Sequence, residues 1–152
     1  LGDVYKRQVQ DLKSWRVGKT GPTPQVVFEI ASEETWKKDL EEKPERYARM
    51  GVKEYFAYDP YERPLRRTRT SARRLFGWHL ETERRVMREL PMGPDGRLWS
   101  FHLESWLVPD GKYLRLYDNQ GNLRLTGMEA EARRAEALAE KLRSLGIDPD
   151  QV

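Results

Sequence analysis

Two short apolar runs on either side of a helix-patterned segment constrain this chain more than any other feature. The first, Gln25 to Ala31 (QVVFEIA), is rich in β-branched residues and bounded by Gly21, Pro22 and Pro24 before it and Ser32 after it, which reads as a buried strand. The second, Val52 to Tyr58 (VKEYFAY), ends at Asp59 and Pro60. Between them Trp36, Leu40, Lys43, Tyr47 and Met50 recur at helical spacing. Ser32 suits the N-cap, Glu33 and Glu34 suit the positive helix end, and Gly51 is a natural stop. Strand, helix and strand in that order predict a βαβ unit with a right-handed crossover in a parallel sheet.

The remainder is less strongly patterned. Arg63 to Arg74 is an arginine-rich connection, and Trp78 to Leu80 and Val86 to Leu90 read as short strands. Tyr113 to Tyr117 and Leu123 to Thr126 alternate in polarity around the turn Asp118 to Asn122, predicting a hairpin with Gly121 in its turn. From Met128 to Leu145 an alanine-rich apolar seam with many flanking charges predicts an amphipathic helix stopped by Gly146. Its apolar face either packs on the domain or meets another helix.

Composition removes several classes. The 152 residues suit one modest soluble domain. The absence of cysteine excludes disulfides, zinc-cysteine sites and thiol catalysis. No run approaches the roughly 18 apolar residues of a membrane span, and no signal-peptide core opens the chain, so no membrane partner and a cytoplasmic location are the expectations. A formal net charge of +3 does not by itself announce a nucleic-acid binder. Leu1 to Gln8 (LGDVYKRQ) resembles, in its DVYKRQ portion, the translation of a transposon-end sequencing adapter, the alternative being a genuine polar N-terminal tail. The expected organisation is therefore 1–8 as adapter, 9–126 as a domain lacking its N-terminal part, and 127–152 as a charged helix and tail.

Chemistry concentrates at two residues out of place. Glu29 is a carboxylate inside an apolar strand, where an unpaired charge is costly. Alternation puts it with Val27 and Ala31 on one face, near the carboxyl end of the strand, where ligands commonly bind. Lys43 interrupts the apolar stripe of the following helix between Leu40 and Tyr47, so it should point at the sheet and at Glu29. The two form either a structural ion pair or a metal ligand with a lysine that acts on water or phosphate.

The stretch Pro24 to Pro60 resembles the Uma-two family of the PD-(D/E)XK nuclease superfamily. The resemblance is carried by Glu29-Ile30-Ala31-Ser32, Asp39-Leu40, Lys43, Tyr47-Ala48, and Gly51 to Phe56 with Asp59-Pro60. Further similarity in Gly77 to Leu80, Gly96 to Ser100, the hairpin and the C-terminal helix extends it over most of residues 9 to 150. It implies a restriction-endonuclease-like α/β fold, a mixed central sheet flanked by helices, here with the amphipathic C-terminal helix. It also implies hydrolysis of DNA phosphodiesters with Mg²⁺ or Mn²⁺. Glu29 would be the acidic residue of the motif and a metal ligand, and the backbone carbonyl of Ile30 would share the metal. Ala31 stands where the superfamily lysine usually does, so Lys43 would substitute for it from the helix. No Pro-Asp element precedes the Glu29 strand, Asp11 being the only acid between Val9 and Gln25, and Pro44 follows Lys43 directly. The first departure implies an incomplete metal site in a truncated chain.

For DNA contact, Arg66, Arg67, Arg69, Arg73 and Arg74, with Arg63, lie in an acid-free stretch of twelve residues. The alternative is a solvated loop. His79 and His102 are isolated, and Trp36, Trp78, Trp99 and Trp106 are expected to pack rather than stack on bases. A homodimer through the final helix would suit duplex cleavage. Two functions stand at this stage: a metal-dependent DNA endonuclease, inactive if truncated, or a non-catalytic DNA-binding or assembly module on the same scaffold.

Overall fold

A computed structural model of the chain describes residues 15–19, 21–61 and 73–149. The first apolar run forms β1 (Val26–Ile30) and the second forms β2 (Glu54–Tyr58), paired in parallel with Val27 beside Tyr55 and Glu29 beside Ala57. Between them lie α1 (Trp36–Glu41) and α2 (Lys43–Met50). Two antiparallel strands, β3 (Leu75–Glu81) and β4 (Val86–Glu89), extend the sheet in the order β1-β2-β3-β4. A second, antiparallel sheet contains β5 (Leu98–Ser100), β6 (Ser105–Asp110) and β7 (Tyr113–Tyr117), and α3 (Gly127–Ser144) follows. The fold is thus of the mixed α/β class, with a mixed four-stranded sheet.

Alternation along β2 divides the core into two layers. Phe56 and Tyr58 face the second sheet and pack with Leu75, Leu90, Leu98 and Leu107. Tyr55 and Ala57 face the helices, pack with Phe76 and Trp78, and are covered by Val27, Leu40 and Tyr47. The sheets approach so closely at Gly77 that a Cβ there would lie 2.8 Å from both Leu98 Cδ1 and the Phe56 ring. Glu54 also faces the second sheet and is fully buried. Its carboxylate accepts the Ser100 hydroxyl and the backbone N–H groups of Phe101 (2.8 Å) and His102 (3.3 Å), at the end of β5 and in the turn that follows.

Four sequence expectations need correction. The predicted single helix is broken at Glu42, because Pro44 has no N–H for the helical ladder and constrains the residue before it. Its N-cap is Thr35 rather than Ser32, since Ser32 instead closes a turn whose carbonyl accepts from Thr35 and Trp36. β1 is not buried on both faces: as the sheet edge it leaves Phe28 40% and Ile30 60% exposed. In the predicted hairpin the second arm shrinks to one bridge from Leu123 to Tyr117, and the extended pairing of β7 is with β6. Gly51 does end α2, with the positive φ of 82° that such a stop requires. α3 forms as expected and starts in a Thr126–Glu129 capping box, yet none of its residues is buried; Met128, Leu138 and Leu145 are all more than half exposed.

Replacing Glu54 by alanine would strand buried donors, at about 1–3 kcal/mol for each left unpaired. Urea unfolding should show a large loss of stability for Glu54→Ala and a smaller one for Glu54→Gln, whose amide oxygen keeps part of the acceptor role. Equal stability of Glu54→Ala and the parent chain would refute this account of how the sheets are joined.

Candidate active site at the carboxyl end of β1

Alternation along β1 turns Glu29 toward the helices, and the break before Pro44 brings Lys43 to the start of α2, over the same face. The Lys43 Nζ lies 2.9 Å from Glu29 Oε1 and 2.7 Å from Asp39 Oδ1. The Tyr47 hydroxyl, one helical turn further along α2, donates to Glu29 Oε1 at 2.8 Å. Asp39 is completely buried within α1, and its Oδ2 accepts from the Thr35 hydroxyl at 2.9 Å. The Tyr55 hydroxyl donates to the Asp39 backbone carbonyl from below, also at 2.9 Å. One ammonium therefore joins a half-buried carboxylate on the strand to a buried one on the helix.

The environment fixes protonation. Burial alone would lower the Lys43 pKa, but the Asp39 and Glu29 carboxylates outweigh it and the pKa is raised, so the amine stays charged. The Tyr47 phenol is pushed up to about 12, first by burial and then by its bond to Glu29. Burial also raises Tyr55. Lys43 is thus an electrostatic group and not a base at neutral pH.

Both expected catalytic residues, Glu29 and Lys43, come together. Ile30 closes β1 with its side chain on the opposite face. Arg66, Arg67 and Arg69 lie outside the described residues. Arg73 and Arg74 are engaged within the fold. Arg73 donates to the Leu75 carbonyl (2.7 Å), pairs with Glu89 and covers the Phe76 ring. Arg74 donates to the Asp59 carbonyl (2.9 Å) and to the Gly111 carbonyl, linking the two sheets. Trp78 packs as expected, stacked on Tyr55 and Phe76, and Trp99 meets Trp106 edge to face.

Sequence reasoning did not give Asp39 or Tyr47 a role. The signal was present, since residues 39, 43 and 47 recur at intervals of four on one helical face.

The donors here are oxygens only, which suits a hard cation such as Mg²⁺ or Mn²⁺. Asp39 Oδ1 is buried and takes no hydrogen bond, its contact with Lys43 being an ion pair, and the bond and ion pair made by Glu29 both end on Oε1. Among the described residues no group of three or more His, Asp or Glu side chains could hold a metal ion. The protein would therefore contribute one or two carboxylates, with water and phosphate oxygens completing the shell, as is common for Mg²⁺. The residues fit such an ion on these terms.

The family model Uma2, described as "Putative restriction endonuclease", matches residues 4–91, more than half of the chain. The chain belongs to the Uma2 family. No curated protein and no solved structure matches it. Among the described residues, no helix is long and apolar enough to cross a membrane.

The raised pKa values of Tyr47 and Lys43 set a pH dependence. Folding favours the protonated form of each, so their stabilising contribution is complete below about pH 10 and is lost as pH rises through the raised folded values, about 12 for Tyr47. Urea midpoints measured from pH 8 to 11.5 should fall above pH 10, and less steeply in Tyr47→Phe. A fall of equal steepness in that variant would show that Tyr47 is not linked to folding.

Proposed function

We propose that this chain is a metal-dependent endonuclease domain that hydrolyses DNA phosphodiesters at the Glu29 and Lys43 cluster. The observation that carries this reading is the reach of Lys43 from α2 to Glu29 on β1, at 2.9 Å, beside an open cavity. A lysine placed by helix rather than by strand explains how Ala31 can stand two residues after the acid. Family membership supports the nuclease class.

Glu29 would hold Mg²⁺ or Mn²⁺ with the Ile30 carbonyl, and such an ion supplies charge for the scissile phosphate and a more acidic bound water. The rest of the work falls to the chain itself. Tyr47 fixes the Glu29 carboxylate by donating to one oxygen. Asp39 anchors Lys43 from behind, so the ammonium stays charged and in place. Lys43 then offsets charge that builds on the phosphate in the transition state, a contribution of the kind that costs about 10²–10³ in rate when removed. Arg66, Arg67 and Arg69 are proposed phosphate contacts for the duplex, with Arg73 and Arg74 at the base of the same segment.

A second reading, a non-catalytic DNA-binding or assembly module, draws on one observation. Lys43 already bridges both carboxylates, and such a network is self-sufficient as a structural ion pair.

Supercoiled plasmid incubated with the chain in Mg²⁺, Mn²⁺ or EDTA separates the two. The nuclease reading expects nicking that EDTA stops and that falls at least about a hundredfold in Glu29→Gln and Lys43→Met. Retarded plasmid with no nicking in either metal would establish the binding module instead.

A further inference from the structure

Beside the cluster lies a cavity of about 420 Å³, within the roughly 300–1,000 Å³ usual for small-molecule sites. Its walls include Trp15 and Val17 from the segment before β1 and Arg46 and Met50 from α2, and Glu29 and Lys43 also border it. The Trp15 indole N–H donates to the Pro22 carbonyl at 3.0 Å, and its ring lies against Gly21, where a Cβ would come within 2.2 Å of Cζ2. The ring is thereby held in place while half of it remains exposed. Arg46 is exposed and, among the described residues, forms no ion pair.

We propose that this cavity is a subsite for one unpaired nucleotide, with its base on Trp15 and its phosphate at Arg46. A fixed aromatic ring and apolar walls suit any base, because every base offers a π-face, and stacking of this kind is tolerant of sequence. The planar guanidinium of Arg46 suits a phosphate. A base stacked inside a duplex cannot enter such a cavity, so the site selects frayed, flipped or single-stranded DNA. The ligand class rests on the nuclease reading above, whereas the test does not depend on cleavage.

The full chain is titrated calorimetrically in EDTA with thymidine monophosphate, thymidine and inorganic phosphate. The subsite requires that the monophosphate bind at least tenfold more tightly than either fragment. Trp15→Ala should weaken it by about tenfold or more, Trp15→Phe should restore most of the affinity, and Arg46→Gln should reduce it to that of thymidine. Monophosphate binding no tighter than inorganic phosphate, or unchanged in a folded Trp15→Ala chain, overturns the proposal. Competition by a single-stranded oligonucleotide but not by its paired duplex identifies DNA as the source of the nucleotide. Competition by neither identifies a free nucleotide as the ligand and still supports the subsite. Nicking of plasmid without monophosphate binding rejects the subsite alone, and monophosphate binding without nicking rejects the nuclease reading alone.

Discussion

One buried carboxylate joins the two halves of this fold. Glu54 sits on β2, the strand buried on both faces, and accepts three donors from residues 100–102 at the turn of the second sheet. A carboxylate this deep is tolerable because these donors satisfy both of its oxygens. With Gly77 allowing Phe56 and Leu98 to close on one another, it seats the small sheet against the large one. The opposite face of β2 is then free to carry the helices, and the candidate site lies on that side.

The site itself depends on an interrupted helix. Proline would be excluded from the interior of a regular helix, and here it starts a second one in its first turn, where a missing N–H costs little. The junction lets Lys43 and Tyr47 from the second helix reach Glu29, while Asp39 from the first holds Lys43. Burial makes Asp39 the stricter partner of Lys43. Glu29, partly exposed, is the carboxylate with room to meet a ligand.

Local patterns were the most legible part of the sequence. The βαβ unit, the strands near Trp78 and Val86, and α3 all rest on periodicity within a few turns, and periodicity is what a sequence displays directly. The pairing of Glu29 with Lys43 was legible for the same reason, as two charged residues each interrupting an apolar stripe. The role of Glu54 was not, because its partner Ser100 lies 46 positions away and leaves no local mark. The exposure of Phe28 and Ile30 was hidden as well, since a β-branched run reads alike at the centre and at the edge of a sheet. For α3 the seam was evident, but amphipathicity alone does not say what a helix packs against.

The edge position of β1 bears on how firmly the site is aimed. Within the described sheet this strand hangs from one ladder, shared with β2, where a central strand would be gripped on both sides. The bearing of the Glu29 carboxylate is therefore set less by the sheet than by two ties across to α2, the Tyr47 hydroxyl and the Lys43 ammonium. The helix acts as the brace and the strand as the arm it steadies, so stiffness at the reactive end comes from side chains rather than from backbone.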